Sequence, residues 1–291
     1  MISVSSSDQR ERARDSRNRL QRSMIEDIIR RIQICIPFML LKEKYLPLVL
    51  EKRINPEIGI TGEAIDTYSR KDLSEMASIL QQEGLLITLH GPYFDLVPGG
   101  MDKKILKTTR ERLRELFDLI PVFDPGSVVC HTGYDRKRYH EVQDQWLETA
   151  LETWTPLVKD LEGSRTSLML ENVYERTPET LHKLVRGLNS ENVGFCLDTG
   201  HMNVFSETDA ETWLKALGPF LKQLHLHDND GTWDDHLAIG AGKIEFEFLF
   251  EYVEKNRLRP IITLEVHKEK WIWQSLEVLS RSERFCRIIQ S

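Results

Sequence analysis

The 291-residue sequence predicts a (β/α)8 barrel, a single domain behind a short N-terminal extension. Two observations carry that prediction. Short apolar runs rich in β-branched residues alternate eight times with longer segments whose apolar residues recur at helical spacing. Side chains able to bind a metal stand at the ends of those runs, where the catalytic rim of such a barrel would collect them.

The first run is IQICIPF (32–38), and a helix-like stretch around KEKYLPLVLEKR leads to PEIGI (56–60). LLITLH (85–90) follows KDLSEMASILQQEG, in which Leu73, Met76 and Leu80 share one helical face and Gly84 suits a C-terminal cap. A charged helix over about 102–120 precedes SVVCH (127–131), and QWLETALETWTPLVKDLEG precedes SLMLE (167–171). TPETLHKLVRGL leads to VGFCLD (193–198), AETWLKALGPF to LKQLHLH (221–227), and FEFLFEYVEKN to IITLE (261–265). One last helix, about 272–290, closes the chain. Nearly continuous apolar strands separated by helices imply a parallel sheet covered by helices. The competing arrangement is an open doubly wound sheet. It is disfavoured because no glycine-rich phosphate loop follows the first strand, and GAG at 240–242 reads as an ordinary loop.

Residues 1–30 read as a mobile or peripheral helical extension, and residues 31–291 as the barrel. The extension is arginine-rich but carries Asp8, Glu11 and Asp15 and has no apolar core, unlike a secretion signal or organelle transit peptide; Met24 is an alternative start. Hydrophobic residues make up 40% and charged residues 29% of the chain, a soluble globular balance with no apolar run of membrane-spanning length. The net charge of −7 argues against diffuse attraction to nucleic acid or an anionic membrane. Cys35, Cys130, Cys196 and Cys286 form no CxxC pair and read mainly as small buried hydrophobes, which fits a reducing, cytoplasmic setting.

Nine side chains stand at strand ends or in the loops after them: His90, His131, Glu171, Asp198, His201, His225, Asp234, His236 and Glu265. A ligand set of histidine and carboxylate without cysteine suits zinc or manganese. Glu171 and Glu265 each close an aliphatic strand, where an unpaired carboxylate is costly. The D-x-x-H spacing of Asp198 and His201 favours ligation over a simple loop cap, whereas His90 and His131 could instead be hydrogen-bonded rim residues. His225 and His227 lie two apart on a strand and face the same way. His227 is divided between an outer role and a substrate contact. Tyr93, Asn172 and Lys243 are further candidates for the cleft lining. Asp235, His140, His182 and His267 read as surface residues, and Trp146, Trp154 and Trp213 as core.

Taken together, LHGPY (89–93), VVCHTGYD (128–135), LEN (170–172), CLDTGH (196–201), LHLHDND (224–230), DDHLAIGAG (234–242) and TLEVH (263–267) resemble the xylose-isomerase-like TIM-barrel superfamily, also called AP endonuclease family 2. The resemblance covers strands three to eight; CLDTGH and HLHD with DDHLAIGAG are its specific parts. Similarity to the endonuclease IV branch implies three metals. His90 and His131 would hold the first, Glu171 would bridge to a second completed by Asp198, His225 and Glu265, and His201, Asp234 and His236 would hold the third. The simple isomerases of the superfamily need one metal, at Glu171, Asp198, His225 and Glu265. Departures from the endonuclease pattern are an acidic TGEAIDTYS loop, ENVYE in place of an ENTAG-like stretch, and Ala241 in the GAG turn. These disfavour nucleic acid as a partner and make AP-endonuclease DNA repair the less favoured activity.

The expectation is therefore a phosphodiesterase, a metal-dependent phosphoester hydrolase acting on a small molecule with up to three Zn2+ or Mn2+ ions. HGPYFDLVPG and HLHDNDGT are similar to a branch of cobamide-remodelling phosphodiesterases, which makes such a compound one candidate substrate. The alternative is a sugar or sugar-phosphate isomerase or epimerase, with Glu171 and Glu265 as acid and base. A ligand-binding barrel without turnover ranks last, because a decayed site loses ligands and here the set is complete.

Overall fold

The protein, described here by a computed structural model over residues 20–290, is a closed parallel barrel of eight strands. The strands are β1 (Gln33–Pro37), β2 (Asn55–Gly59), β3 (Thr88–His90), β4 (Ser127–His131), β5 (Ser167–Glu171), β6 (Val193–Asp198), β7 (Leu221–Leu226) and β8 (Ile261–Leu264). They pair in sequence order, and β8 closes on β1 through Gln33 opposite Thr263 and Ile34 opposite Leu264.

Strand alternation divides the side chains into two populations. Ile34, Ile36, Ile58, Leu89, Val128, Leu168, Leu170, Phe195, Leu197, Leu224, Leu226, Ile262 and Leu264 belong to the large buried core. That core also takes in Trp146, Trp154 and Trp213, all fully buried, from the surrounding helices. On the alternate positions Val129, Met169 and Cys196 form a separate small apolar cluster. The other alternate positions are largely polar. Ser127 donates to Gln223 at 2.6 Å, and Gln223, Thr88 and Thr263 all donate to Glu57 at 2.5–3.1 Å. The lumen is thus a hydrogen-bonded polar column that leads up to the rim at the C-terminal strand ends.

Three predicted elements differ in detail. β3 begins at Thr88, because the backbone N–H of Leu86 donates to the Asn55 side chain instead of to a strand. The last helix is two, Glu269–Leu279 and Glu283–Gln290. At the break the Ser280 hydroxyl donates to the Glu277 carbonyl and the Ser282 hydroxyl accepts from the Phe285 N–H, so serine side chains take over backbone partners. The extension lies outside the described residues up to residue 19. Residues 20–29 are helical, and Ile28 and Ile29 are buried in the main core rather than peripheral. Asn55 donates to the Arg30 carbonyl, tying the end of this segment to the start of β2. No helix among the described residues is long and apolar enough to cross a membrane.

Candidate metal centre

The strand register itself assembles the site. His131 stands opposite Glu171 on β4 and β5, and Asp198 opposite His225 on β6 and β7. The second pairing depends on an irregularity: Phe195 pairs with Leu221 but Cys196 with Gln223, so one residue of β7 is skipped. Such a bulge re-aims the strand beyond it; an unbroken register would put Leu224 opposite Asp198.

Ligand-type atoms gather into groups in which every atom lies within 4.8 Å of the others: His90, His131 and Glu171; Glu171, Asp198, His225 and Glu265; His201, His227, Asp234 and His236; and, linking the first two, His90, His225 and Glu265. Glu171 is at the centre. Its Oε2 lies 3.2 Å from His90 Nε2 and 3.3 Å from His131 Nε2. Its Oε1 lies 3.2 Å from His201 Nδ1 and 3.4 Å from His225 Nδ1. His225 Nδ1 is 2.8 Å from Glu265 Oε2. Asp234 Oδ2 is 3.2 Å from His201 Nε2 and 3.1 Å from His236 Nε2.

These residues fit divalent ions on two counts. Donors at roughly 2.0–2.2 Å around one tetrahedral ion lie about 3.3 Å from one another, close to most of the spacings seen here. In addition, Glu171 Oε1, His225 Nδ1, His227 Nδ1, Asp234 Oδ1 and Glu265 Oε2 are buried without a hydrogen-bond partner. Buried polar atoms are rarely left so, and a cation is the partner that would satisfy several at once.

The electrostatics of the cluster are those of interleaved imidazoles and carboxylates. Burial pushes Glu171 up, but the charges of His225 and His131 and the hydrogen bonds of His131 and His201 hold it well below the usual carboxylate range. Glu265 and Asp234 are likewise held low against burial, by His225 and by His201 and His236. Burial opposes protonation of His201 and His225 too, yet Asp198, Asp234 and Glu171 raise His201, and Cys196 followed by Glu57, Glu171 and Glu265 raises His225, both well above the ordinary histidine value. His236, hydrogen-bonded by Asp234, is raised against burial to about 9. His131 goes the other way, because burial dominates there.

One acidic residue builds the outer part of the site. The Asp228 carboxylate accepts the backbone N–H groups of Asn229, Gly240, Gly242 and Ile244 at 2.9–3.1 Å, and Asp228 and Leu237 exchange two backbone hydrogen bonds. The 228–244 loop is thereby folded back over the end of β7, which delivers Asp234 and His236 to the cluster. His236 has φ +46°, a left-handed conformation unusual for a histidine and held here by its Nδ1 contact with the Glu265 carbonyl at 2.8 Å.

The chain matches the xylose isomerase-like TIM barrels over residues 57–282. It belongs to that family. Among curated relatives it is 27% identical to the uncharacterized protein MJ1311 of Methanocaldococcus jannaschii, over 76% of this chain and 78% of that protein. It is 24% identical to the probable endonuclease 4 of Mycobacterium leprae, over 65% of this chain and 76% of that one. Of solved structures, a D-tagatose 3-epimerase-like protein superposes with a TM-score of 0.75 at 25% identity, covering 89% of this chain and 98% of its own. The TTHB071 protein of Thermus thermophilus, from a crystal soaked in zinc chloride, superposes at 0.72 with 24% identity, covering 86% and 97%.

Within this xylose isomerase-like barrel the structure brings the nine candidate ligands to one rim and adds His227 to them. His227 is fully buried, its ring stacked on His236 at 3.7 Å and its Nε2 3.0 Å from both Asp198 oxygens. It therefore stands inside the third group rather than on the cleft wall. Asn172 is buried, and both ends of its amide are used on Asp198: it donates to the carbonyl at 3.0 Å and accepts from the N–H at 2.9 Å. It positions Asp198 and is buried away from the open cleft. Lys243 is exposed, and its charge acts on Asp230 in the loop. Tyr93 covers the mouth, stacked on His131 at 4.5 Å. His267 is exposed but stacks on His236 at 4.1 Å, at the edge of the cluster. TGEAIDTYS is mostly a helix, Gly62–Thr67, and its Asp66 is paired to Arg112 at 2.6–2.7 Å, so only part of its acidity is free.

Two carboxylates escaped the sequence reading. Glu57, fully buried in β2, places Oε1 2.9 Å from His225 Nε2, on the ring edge opposite the ligand nitrogen. Glu57 thus puts a negative charge against the Nε2 edge of His225, while Nδ1 faces Glu171 and Glu265. Its signal was present: a glutamate inside PEIGI, which no apolar strand tolerates unpaired. The E57A variant is expected to lose about 10–100-fold in metal affinity while retaining its fold; titration with a metal-buffered indicator measures this, and an unaltered affinity would refute the role. Glu175 is also buried, hydrogen-bonded by the Thr132 hydroxyl and by the Val173 N–H at 2.7 Å, and so braces the loops after β4 and β5.

Gly200 is the tightest point of the site. A Cβ there would meet His227 at 1.9–2.6 Å, and His227 cannot retreat because His236 lies on its other side. The G200A variant is expected to lose about 3 kcal/mol of stability or more, together with ions of the third group. Chemical denaturation and elemental analysis check both; wild-type values in both would contradict the packing described.

Proposed function

We propose that this protein is a phosphodiesterase-type hydrolase of a small phosphoester, using up to three divalent ions of the zinc or manganese class. The observation that carries the proposal is the contiguity of the ligand groups: Glu171 belongs to two of them, and His201 joins Glu171 to Asp234 across 3.2 Å on each side. A one-metal reaction has no use for His90, His131, His201, Asp234 and His236 in that arrangement. Bound ions would supply Lewis-acid polarisation of phosphoryl oxygens and a water of lowered pKa. Glu171 would hold the ions in register, and Glu57 and Asn172 keep His225 and Asp198 oriented beneath them. Glu265, beside His225 at the open side of the second group, is positioned to exchange a proton with the attacking water.

A sugar or sugar-phosphate epimerase is the second reading. It is favoured by the likeness to the D-tagatose 3-epimerase-like protein and by Glu171 and Glu265 sharing one ligand group. Cleavage of double-stranded DNA at abasic sites is less favoured, although the probable endonuclease 4 relative keeps it testable.

The deciding experiment loads purified protein with zinc or manganese, counts bound ions, and offers a phosphodiester panel beside ketoses in deuterated water. Two or three ions with release of an alcohol from a diester are expected. One ion with deuterium entering a sugar carbon would replace the hydrolase with the epimerase.

A further inference from the structure

The exposed aromatic residues of this protein are not scattered. Among the described residues five aromatic side chains count as exposed, and four of them, Tyr93, Phe94, Tyr174 and Trp233, lie in loops at the C-terminal ends of β3, β5 and β7. The fifth, Phe248, is on a helix. Three of the four are continuous with the candidate metal centre through ring contacts. Phe94 packs on Tyr93 at 4.5 Å, and Tyr93 stacks on His131 at 4.5 Å. His131 meets His201 edge-on at 5.9 Å, His201 meets Phe205 at 6.2 Å, and Phe205 meets Tyr174 at 5.0 Å. Six rings thus run from one exposed end, over two candidate metal ligands, to another exposed end. Trp233 directly precedes Asp234, is 76% exposed, and has no ring contact or side-chain hydrogen bond among the described residues.

Several polar groups of the same rim are already engaged within the protein. Asn172 is used on Asp198, Glu175 on Thr132 and Val173, and Arg136 and Arg176 both pair with Glu207. A flat aromatic group finds several faces on which to stack, and leaving such faces in water has no structural benefit.

We propose that the substrate carries a planar aromatic group beside its reacting ester, and that Phe94, Tyr93, Tyr174 and Trp233 form the platform receiving it. This rests on the phosphoester reading above and narrows its substrate class. The test measures, by calorimetry on metal-loaded protein, the binding of adenosine 5′-monophosphate, ribose 5-phosphate and adenosine. The aromatic phosphate is expected to bind at least ~10-fold more tightly than ribose 5-phosphate, the range of one stacked base. The variants F94A and Y174A should remove most of that preference with bound-ion counts unchanged. Equal affinity for the two phosphates, or an equal loss for both in the variants, overturns the platform while leaving the phosphoester reading in place. Binding of adenosine that depends on Phe94 and Tyr174, with no gain from the phosphate, supports the platform and overturns the phosphoester reading. Binding of none of the three overturns the platform.

Discussion

Replacing Glu171 with glutamine is expected to release at least one bound ion per chain and to lower turnover by at least ~10²-fold, the scale set by removing one preorganised charged partner from an active site. The reason is geometric. One carboxylate faces four imidazoles, those of His90, His131, His201 and His225, at 3.2–3.4 Å. Glutamine keeps the shape but replaces one oxygen with an NH2 that donates toward nitrogens meant to face a cation, and it removes the charge that makes the cluster attractive to any ion. The side chain is fully buried, so water cannot substitute for the lost acceptor. Elemental analysis and steady-state kinetics on the same preparation read both effects. Retention of the full ion complement with more than a tenth of the activity would show that Glu171 is not the hub.

Removing the metal is expected to invert the pH dependence of stability. In the metal-free protein His236 is protonated up to about 9, because Asp234 and the neighbouring carboxylates outweigh burial. A histidine of the unfolded chain titrates near 6.5. The proton on folded His236 therefore stabilises fully below about 6.5, and that stabilisation is lost as pH rises through about 9; its size is on the order of 3 kcal/mol. His90, His201 and His225 are raised in the same sense. On the acid side, Glu171, Asp234 and Glu265 are held low, so their contribution is present above the ordinary carboxylate range and disappears as pH falls below it. The chelated protein should thus be most stable in the weakly acidic range and lose melting temperature between pH 6.5 and 9. Metal ligation requires neutral imidazoles, so ion affinity and the stability it brings rise over the same interval. Thermal melts across this interval, with chelator and with zinc or manganese, should diverge. Parallel curves would mean that the cluster does not exchange protons for ions.

Much of this was readable from the residues alone because it depends on local rules. Eight apolar runs alternating with helical periodicity leave few folds other than a closed parallel barrel, and a carboxylate or histidine ending such a run must stand at the rim. That logic placed His90, His131, Glu171, Asp198, His225 and Glu265 without reference to contacts. What the sequence could not supply depends on where the chain returns in space. The skipped residue in β7, which sets His225 opposite Asp198, is a pairing defect rather than a motif. The folding back of the 228–244 loop depends on one carboxylate collecting four N–H groups from residues up to sixteen positions away. His227 and His236 came together only because that loop crosses over β7, and Asn172 left the cleft wall because its amide matches the Asp198 backbone. The acidity of Glu57 also took on meaning only across the lumen, where Thr88, Gln223, Thr263 and His225 converge on it from three other strands. Strand alternation fixes which side chains face inward; which of them meet is decided by barrel closure, since partners far apart in sequence become neighbours only when the sheet closes on itself.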